Sequence, residues 1–137
     1  MRNPGFALRF ESELAHMLRQ EGRIEDARPL YRRVIREWQD LGRRAAVANI
    51  VENFAFMARV EGQTERASRL LGAAEAIRDE INMDMTPWER EEYEREVTAL
   101  RETLPAGTLA AEWAVGRAMT LDEAVDFAIQ ATPRPAE

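Results

Sequence analysis

Three groups of side chains in this chain are of the types that chemistry commonly uses. The first is the only histidine, His16, with Glu13 three residues before it. A general base or a metal ligand needs several converging partners, and one carboxylate at i−3 does not supply them. Two plainer roles stay open for His16: lining a groove, or standing on an exposed helix face. The second group is the acidic run Glu89, Glu91, Glu92, Glu94 and Glu96. Paired carboxylates do acid–base work when buried at fixed separations. Spaced this closely on one helix they point around its circumference, with Arg90 and Arg95 among them, and the run reads mostly as a solvated face. The third group is Trp38, Trp88 and Trp113, which form an aromatic cage if they converge and inter-helix packing if they do not.

The absences narrow the chemistry further. With no cysteine there is no disulfide, no thiolate nucleophile and no thiolate zinc site. All 19 basic residues are arginine, so the Lys-Ser/Thr phosphate-binding loop is excluded. Recognition of acidic partners and a bias in base composition both account for the arginine, because Arg and Lys differ mainly at bidentate sites. The net charge of −6 argues against general nucleic-acid binding. The one basic cluster, Arg32, Arg33, Arg36, Arg43 and Arg44, is diluted by Glu37 and Asp40. No segment approaches the roughly 20 apolar residues of a membrane span, and the opening MRNPGFALRFESELAHML lacks a secretory apolar core. The expectation is a cytoplasmic chain with no catalytic centre, metal or cofactor, and with no membrane or direct nucleic-acid contact.

The elements that position these residues are helical. Ala, Leu, Glu and Arg dominate and favour helix, and no alternating β-branched run supports a strand. A first helix sets Phe10, Leu14, Met17 and Leu18 on one stripe and stops at Glu21-Gly22. A second carries Ala27, Leu30, Tyr31, Val34, Ile35 and Trp38 inward and ends near Leu41-Gly42. A third carries Val47, Ile50, Val51, Phe54, Ala55 and Ala58 and ends at Glu61-Gly62. A fourth, from near Thr64, uses Ala67, Leu70, Leu71, Ala74 and Ile77. A shift of 40 positions lays Arg19, Glu21, Gly22, Glu25, Ala27 and Leu30 over Arg59, Glu61, Gly62, Glu65, Ala67 and Leu70. Such a period, broken by glycine between helices, signals a helical solenoid.

The repeat is lost past Asn82. Thr86-Pro87-Trp88-Glu89 carries the parts of a capped helix start, and Thr120 with Glu123 forms a second capping box. Between them, one helix presents Trp88, Tyr93, Val97, Leu100 and Leu104, and a shorter one from Thr108 carries Leu109, Trp113 and Met119. A last helix carries Leu121, Ala124, Val125, Ala128 and Ile129. The predicted organisation is all-α: one domain over 1–130, with units at about 6–42 and 45–81 and a non-repeat cap over 86–130. It counts about seven helices, and a flexible tail over 131–137 follows.

The paired helices resemble tetratricopeptide repeats. Ala15, Gly22, Ala27 and Tyr31 fall on the family's positions in the first unit, and Ala55, Gly62, Ala67 and Leu71 in the second. Glu11 departs from the pattern, and the spacing of 40 exceeds the family's usual 34, which implies longer helices or a longer turn. Read whole, the chain looks like the last repeats of large bacterial signalling ATPases, through Asp26–Tyr31, Ala67–Glu75 and the closing Glu112–Ala124. In those proteins a nucleotide-switching domain is joined to a C-terminal helical-repeat sensor, with DNA-binding or nucleotide-cyclase domains in some. The resemblance implies a sensor or interaction role and carries no catalytic residue over.

In such solenoids the first helix of each pair lines the concave side. The resemblance implies a groove of Arg9, Ser12, His16 and Arg19 from the first unit and Glu52, Phe56 and Arg59 from the second. Phe54 and Phe56 cannot share one stripe, so one of them is expected to be exposed or at a seam. Phe56 beside Arg59 is then either an interaction hot spot or packing against a third unit. The implied partner is a protein, a peptide or a regulatory ligand. The alternative is homodimerisation through the N-terminal edge at Phe6, Phe10 and Leu14, since end repeats need polar caps to stay soluble.

Overall fold

The computed structural model describes residues 4–130, and the expectation of a flexible tail at 131–137 lies outside them. Among the described residues there are seven helices and no strand: α1 (Pro4–Gln20), α2 (Ile24–Asp40), α3 (Arg44–Val60), α4 (Thr64–Ile81), α5 (Pro87–Thr103), α6 (Ala106–Arg117) and α7 (Leu121–Ile129). None is long and apolar enough to cross a membrane.

One turn joins the first four helices, used three times. Gly22, Gly42 and Gly62 have φ of +83°, +70° and +81°, the left-handed region where a side chain is strained. At each, the glycine N–H donates to the carbonyl three residues back and the next N–H to the carbonyl five back: Gly62 to Arg59 at 3.0 Å, Gln63 to Ala58 at 2.8 Å. This is the Schellman closure of a helix end. It recurs after α4 with Asn82 (φ 52°) in the glycine's place, a residue whose short polar side chain tolerates that conformation. The turns therefore fall every 20 residues, and α3 and α4 repeat the bounds of α1 and α2 forty positions on to within one residue. Each 40-residue period is thus filled by two helices of 17 or 18 residues and short turns.

Contacts between successive helices run in reversed order. Ser12 meets Trp38 while His16 meets Tyr31, and Arg44 meets Glu80 while Glu52 meets Arg78. Helix α3 is the centre of the core, with every residue from Ile50 to Ala58 buried. A helix buried all round needs neighbours on all sides, and α2, α4, α5 and α7 supply them.

Helix α1 departs from its pattern. The stripe Phe10, Leu14, Met17 faces outward, 69%, 40% and 56% exposed, as does Phe6 at 74%, while Leu8, Ser12 and Ala15 are buried. Helices α2, α3 and α4 bury what their periodicity selects, with Leu30 only partly covered. Past Asn82, Val97, Leu100, Ala124, Val125 and Ala128 are buried, Tyr93, Leu104, Leu109, Trp113, Met119, Leu121 and Ile129 are partly covered, and Trp88 is exposed.

The C-terminal helices attach in different ways. Both capping boxes form, Thr86 with Glu89 and Thr120 with Glu123. Helix α6 starts at Ala106 after Pro105, two residues before Thr108, and Met119 falls beyond its end. It lies directly on α4. A Cβ on Gly72 would run into the Trp113 carbonyl, and one on Gly116 into the Arg69 carbonyl, so the backbones touch where only glycine fits. Helix α7 packs on α2, α3 and α4. Its C-terminal carbonyls of Phe127 and Ala128 accept from Arg66, whose guanidinium lies 4.4 Å from the Phe127 ring centre.

Candidate functional site

The seven residues of the implied groove separate into an open part and a covered part. Arg9, Ser12 and His16 line a cleft of about 650 Å³ between α1, the α2–α3 turn and α3, together with Phe6, Glu13, Trp38, Arg43, Arg44 and Asn49. Arg19, Glu52, Phe56 and Arg59 lie beneath α5.

A chain of hydrogen bonds joins the two parts. His16 Nδ1 is 2.6 Å from the Tyr31 hydroxyl, and that hydroxyl donates to Asn53 Oδ1 at 3.1 Å. Asn53 is fixed the right way round, because its Nδ2 donates to the Asn49 carbonyl at 2.8 Å. Since the Tyr31 proton goes to Asn53, Nδ1 of His16 is the donor to Tyr31, which places the acceptor lone pair of the neutral ring on Nε2. Asn53 Oδ1 also accepts from Arg19 Nε at 2.8 Å, and Arg19 in turn donates to Glu92 of α5 at 2.7 Å. The Arg19 guanidinium lies 5.2 Å from the Phe56 ring centre. Burial pushes the His16 pKa below its ordinary 6.5, against the opposing pull of Glu13 and Glu92. Burial likewise drives the Tyr31 hydroxyl upward, so it stays protonated as a donor.

The covered part is a set of arginine–carboxylate pairs. Glu52 and Arg78 are both buried and joined by two bonds, 2.7 Å to Nε and 2.9 Å to Nη2. Arg78 also reaches Glu89 at 3.2 Å, and Asn49 donates to the same Glu89 oxygen at 2.9 Å. Arg59 pairs with Glu96 through two nitrogens, and that bond raises the Arg59 pKa. Burial alone would raise Glu89, but the Thr86 amide and Arg78 hold it below its ordinary value. Phe54 and Phe56 are both buried, and Arg19 covers the Phe56 ring.

The acidic run is therefore divided. Glu91 and Glu94 face solvent and pair with Arg95 and Arg90 on their own helix, whereas Glu89, Glu92 and Glu96 face arginines of α4, α1 and α3. The signal was present: spacing i, i+3, i+7 places these three beside Val97 and Leu100, the buried side of α5.

The other singled-out residues do not converge. Trp38 donates to Ser12 at 3.1 Å, Trp113 donates to Glu75 at 3.1 Å, and Trp88 is 78% exposed; each lines a different cleft. In the basic cluster, Arg33, Arg36 and Arg44 are paired with Glu11, Asp126 and Glu80. A second cleft, of about 640 Å³, opens between α5 and α6 against Tyr93, Val97, Leu109 and Trp113. Burial there pushes the Tyr93 hydroxyl up to about 12. Among the described residues no three of His, Asp and Glu gather as a metal site would require.

No family model, curated protein or solved structure matches the chain.

Proposed function

We propose that this chain is a non-catalytic recognition module, a short tetratricopeptide-like solenoid of two antiparallel helix pairs closed by α5–α7. It binds an anionic segment of a protein, peptide or regulatory ligand in the α1–α3 cleft. The solenoid reading is supported by the 40-residue period and the repeated turn at Gly22, Gly42 and Gly62. The sensor role rests on the likeness to the repeat regions of bacterial signalling ATPases.

One observation carries the choice of ligand. Most described arginines are already paired with carboxylates, but Arg9 and Arg43 have no ion pair among the described residues, and both line this cleft beside Trp38 and His16. A concave site with apolar walls and a few unspent polar groups is the usual form of a ligand pocket. Peptide libraries selected on the full chain are expected to enrich carboxylate-bearing sequences. Those peptides should shift the Trp38 indole and His16 resonances and lose binding on Arg9→Glu/Arg43→Glu. Enriched peptides indifferent to both substitutions would refute the assignment.

A second reading is favoured by the outward stripe of α1. Phe6, Phe10, Leu14 and Met17 form a row of exposed large apolar side chains on one helix, of the kind that marks an association surface. Sedimentation should then show a dimer that Phe6→Glu/Phe10→Glu dissolves. A parent protein that stays monomeric at high concentration excludes this reading.

A further inference from the structure

The arginines under α5 differ in what holds them. Arg19 is fixed by Asn53 at 2.8 Å and lies over Phe56, and Arg78 is fixed by two bonds to Glu52. None of these partners belongs to α5. The two guanidiniums are therefore aimed before any carboxylate of α5 arrives, a preorganised pair of donors set by α1, α3 and α4. Arg59 extends the row and is held by Glu96 alone.

Helix α5 is a weaker partner in this arrangement. It buries only Val97 and Leu100. Its three inward carboxylates are partly shielded, Glu89, Glu92 and Glu96 being 28%, 26% and 14% exposed at the side chain, over Arg78, Arg19 and Arg59 at 8%, 10% and 30%. A pair shielded to this degree gains little beyond the cost of drying its charges, so the hold of α5 rests on two buried apolar side chains and on the match of charges. The segment leading into α5, Asn82–Asp84, is exposed.

We propose that Arg19, Arg59 and Arg78 form a docking face for an acidic amphipathic helix, that α5 is its occupant within the chain, and that a partner helix with carboxylates at i, i+3 and i+7 takes α5's place. The proposal deepens the reading of the α1/α3 side as a recognition surface and rests on it. The pattern to be matched is Glu89, Glu92 and Glu96, with Tyr93, Val97 and Leu100 as the apolar companions. Charge complementarity selects the partner's chemistry, and the helical spacing selects its conformation.

The test uses the full chain and two labelled peptides. One has the sequence of residues 86–103; the other has Gln at the positions of Glu92 and Glu96. The full-length variant Glu92→Gln/Glu96→Gln loosens the resident helix and frees Arg19 and Arg59. Fluorescence anisotropy should show the acidic peptide binding this variant roughly tenfold more tightly than it binds the parent chain, and roughly tenfold more tightly than the Gln peptide does. Added salt should reduce the difference.

Equal binding of the two peptides, or none to a variant that keeps its helical circular dichroism, would overturn the proposal. So would a dimeric variant that excludes the peptide, which would assign the face to a second copy's α5. A measurement on the parent chain covers the case of a variant that does not fold. Amide exchange in α5 should accelerate with salt while that of α3 does not, and equal protection of the two at all salt concentrations refutes the exchange. Binding to the α1–α3 cleft is scored separately by Arg9→Glu/Arg43→Glu, so the failure of one reading is told apart from the failure of the other.

Discussion

Glu52→Leu and Arg78→Met test the buried pair one partner at a time and together. The Glu52 side chain is 3% exposed and that of Arg78 8%. Removing one member of such a pair leaves the other charge shielded from water, which costs about 3–5 kcal/mol. In Glu52→Leu the guanidinium keeps its 3.2 Å contact to the partly exposed Glu89, so the lower end, about 3 kcal/mol, is expected. In Arg78→Met it is the carboxylate that is stranded. Burial already pushes the Glu52 pKa upward with Arg78 in place, and without Arg78 the rise is larger. A carboxyl whose folded pKa stands above its unfolded one adds stability below the unfolded value and loses it as pH rises through the folded value. Arg78→Met is therefore expected to be much more destabilising near pH ~8 than near pH ~5. Replacing both partners removes both charges and fills their space with hydrocarbon, which should leave stability within about 1–2 kcal/mol of the parent. Urea denaturation of the four proteins gives the coupling, expected to be about 3 kcal/mol or more in magnitude. Single costs that simply add in the double variant would refute the pairing. A pH-independent Arg78→Met would refute the shielding of Glu52.

Other predictions follow from the turns, the relay and the glycine crossing. The imidazole of His16, read by proton NMR, should titrate with a midpoint below 6.5, because burial disfavours its charged form while Glu13, Glu92 and Arg19 act as the nearby charges. Its contribution to stability is complete above 6.5 and is lost as pH falls through the lowered value; a midpoint at or above 6.5 contradicts the buried placement. Gly62→Ala should cost about 1–2 kcal/mol in urea denaturation from backbone strain alone, since no atom lies within 4 Å of its new methyl. Gly116→Ala should cost more, about 3 kcal/mol or above, because its methyl meets the α4 backbone; equal costs at the two glycines would refute the close crossing. Thr86→Ala removes the hydroxyl of a capping box and should lower stability by about 1 kcal/mol in thermal unfolding.

The helical content and most helix ends were legible because their punctuation is local. A glycine that must take positive φ, and a threonine three residues before a glutamate, announce helix ends without help from the rest of the chain. Asn82 was the harder sign, since asparagine at a left-handed position is less distinctive than glycine. The face that each helix buries was legible only where one face is apolar and its neighbour is known. In α1, periodicity picked out Phe10, Leu14 and Met17, while the structure buries Leu8, Ser12 and Ala15, a narrower and more polar face. Spacing reports that a helix has an apolar stripe; it does not report which neighbour covers it. The covered half of the site was hidden for a related reason. Glu89, Glu92 and Glu96 were read with their sequence neighbours Arg90 and Arg95, whereas their partners, Arg78, Arg19 and Arg59, lie 11, 73 and 37 residues away.

The two attachments to the helix pairs differ in kind. Helix α6 meets α4 backbone to backbone at Gly72 and Gly116. That contact forms only at one depth and one register, and the pairs of Arg69 with Glu112 and of Arg117 with Glu75 and Asp79 flank it. Helix α5 meets α1, α3 and α4 chiefly through the tips of long side chains, with Val97 and Leu100 as its buried anchors. An interface of that kind keeps its specificity in the pattern of charges and only a modest part of its strength in buried area. The polar relay from His16 through Tyr31, Asn53 and Arg19 ends on Glu92. The neutral ring already donates from Nδ1 to Tyr31, and an anion held at the cleft beside His16 favours the charged ring, a stronger donor that polarises the Tyr31 hydroxyl and so bears on Asn53 Oδ1, the oxygen that Arg19 shares. Occupancy of the open cleft is thereby expected to bear on how firmly Arg19 holds α5. Tyr31→Phe should uncouple the two, leaving cleft binding in place while removing its effect on amide exchange in α5. An undiminished effect in that variant would show that the relay does not carry the coupling.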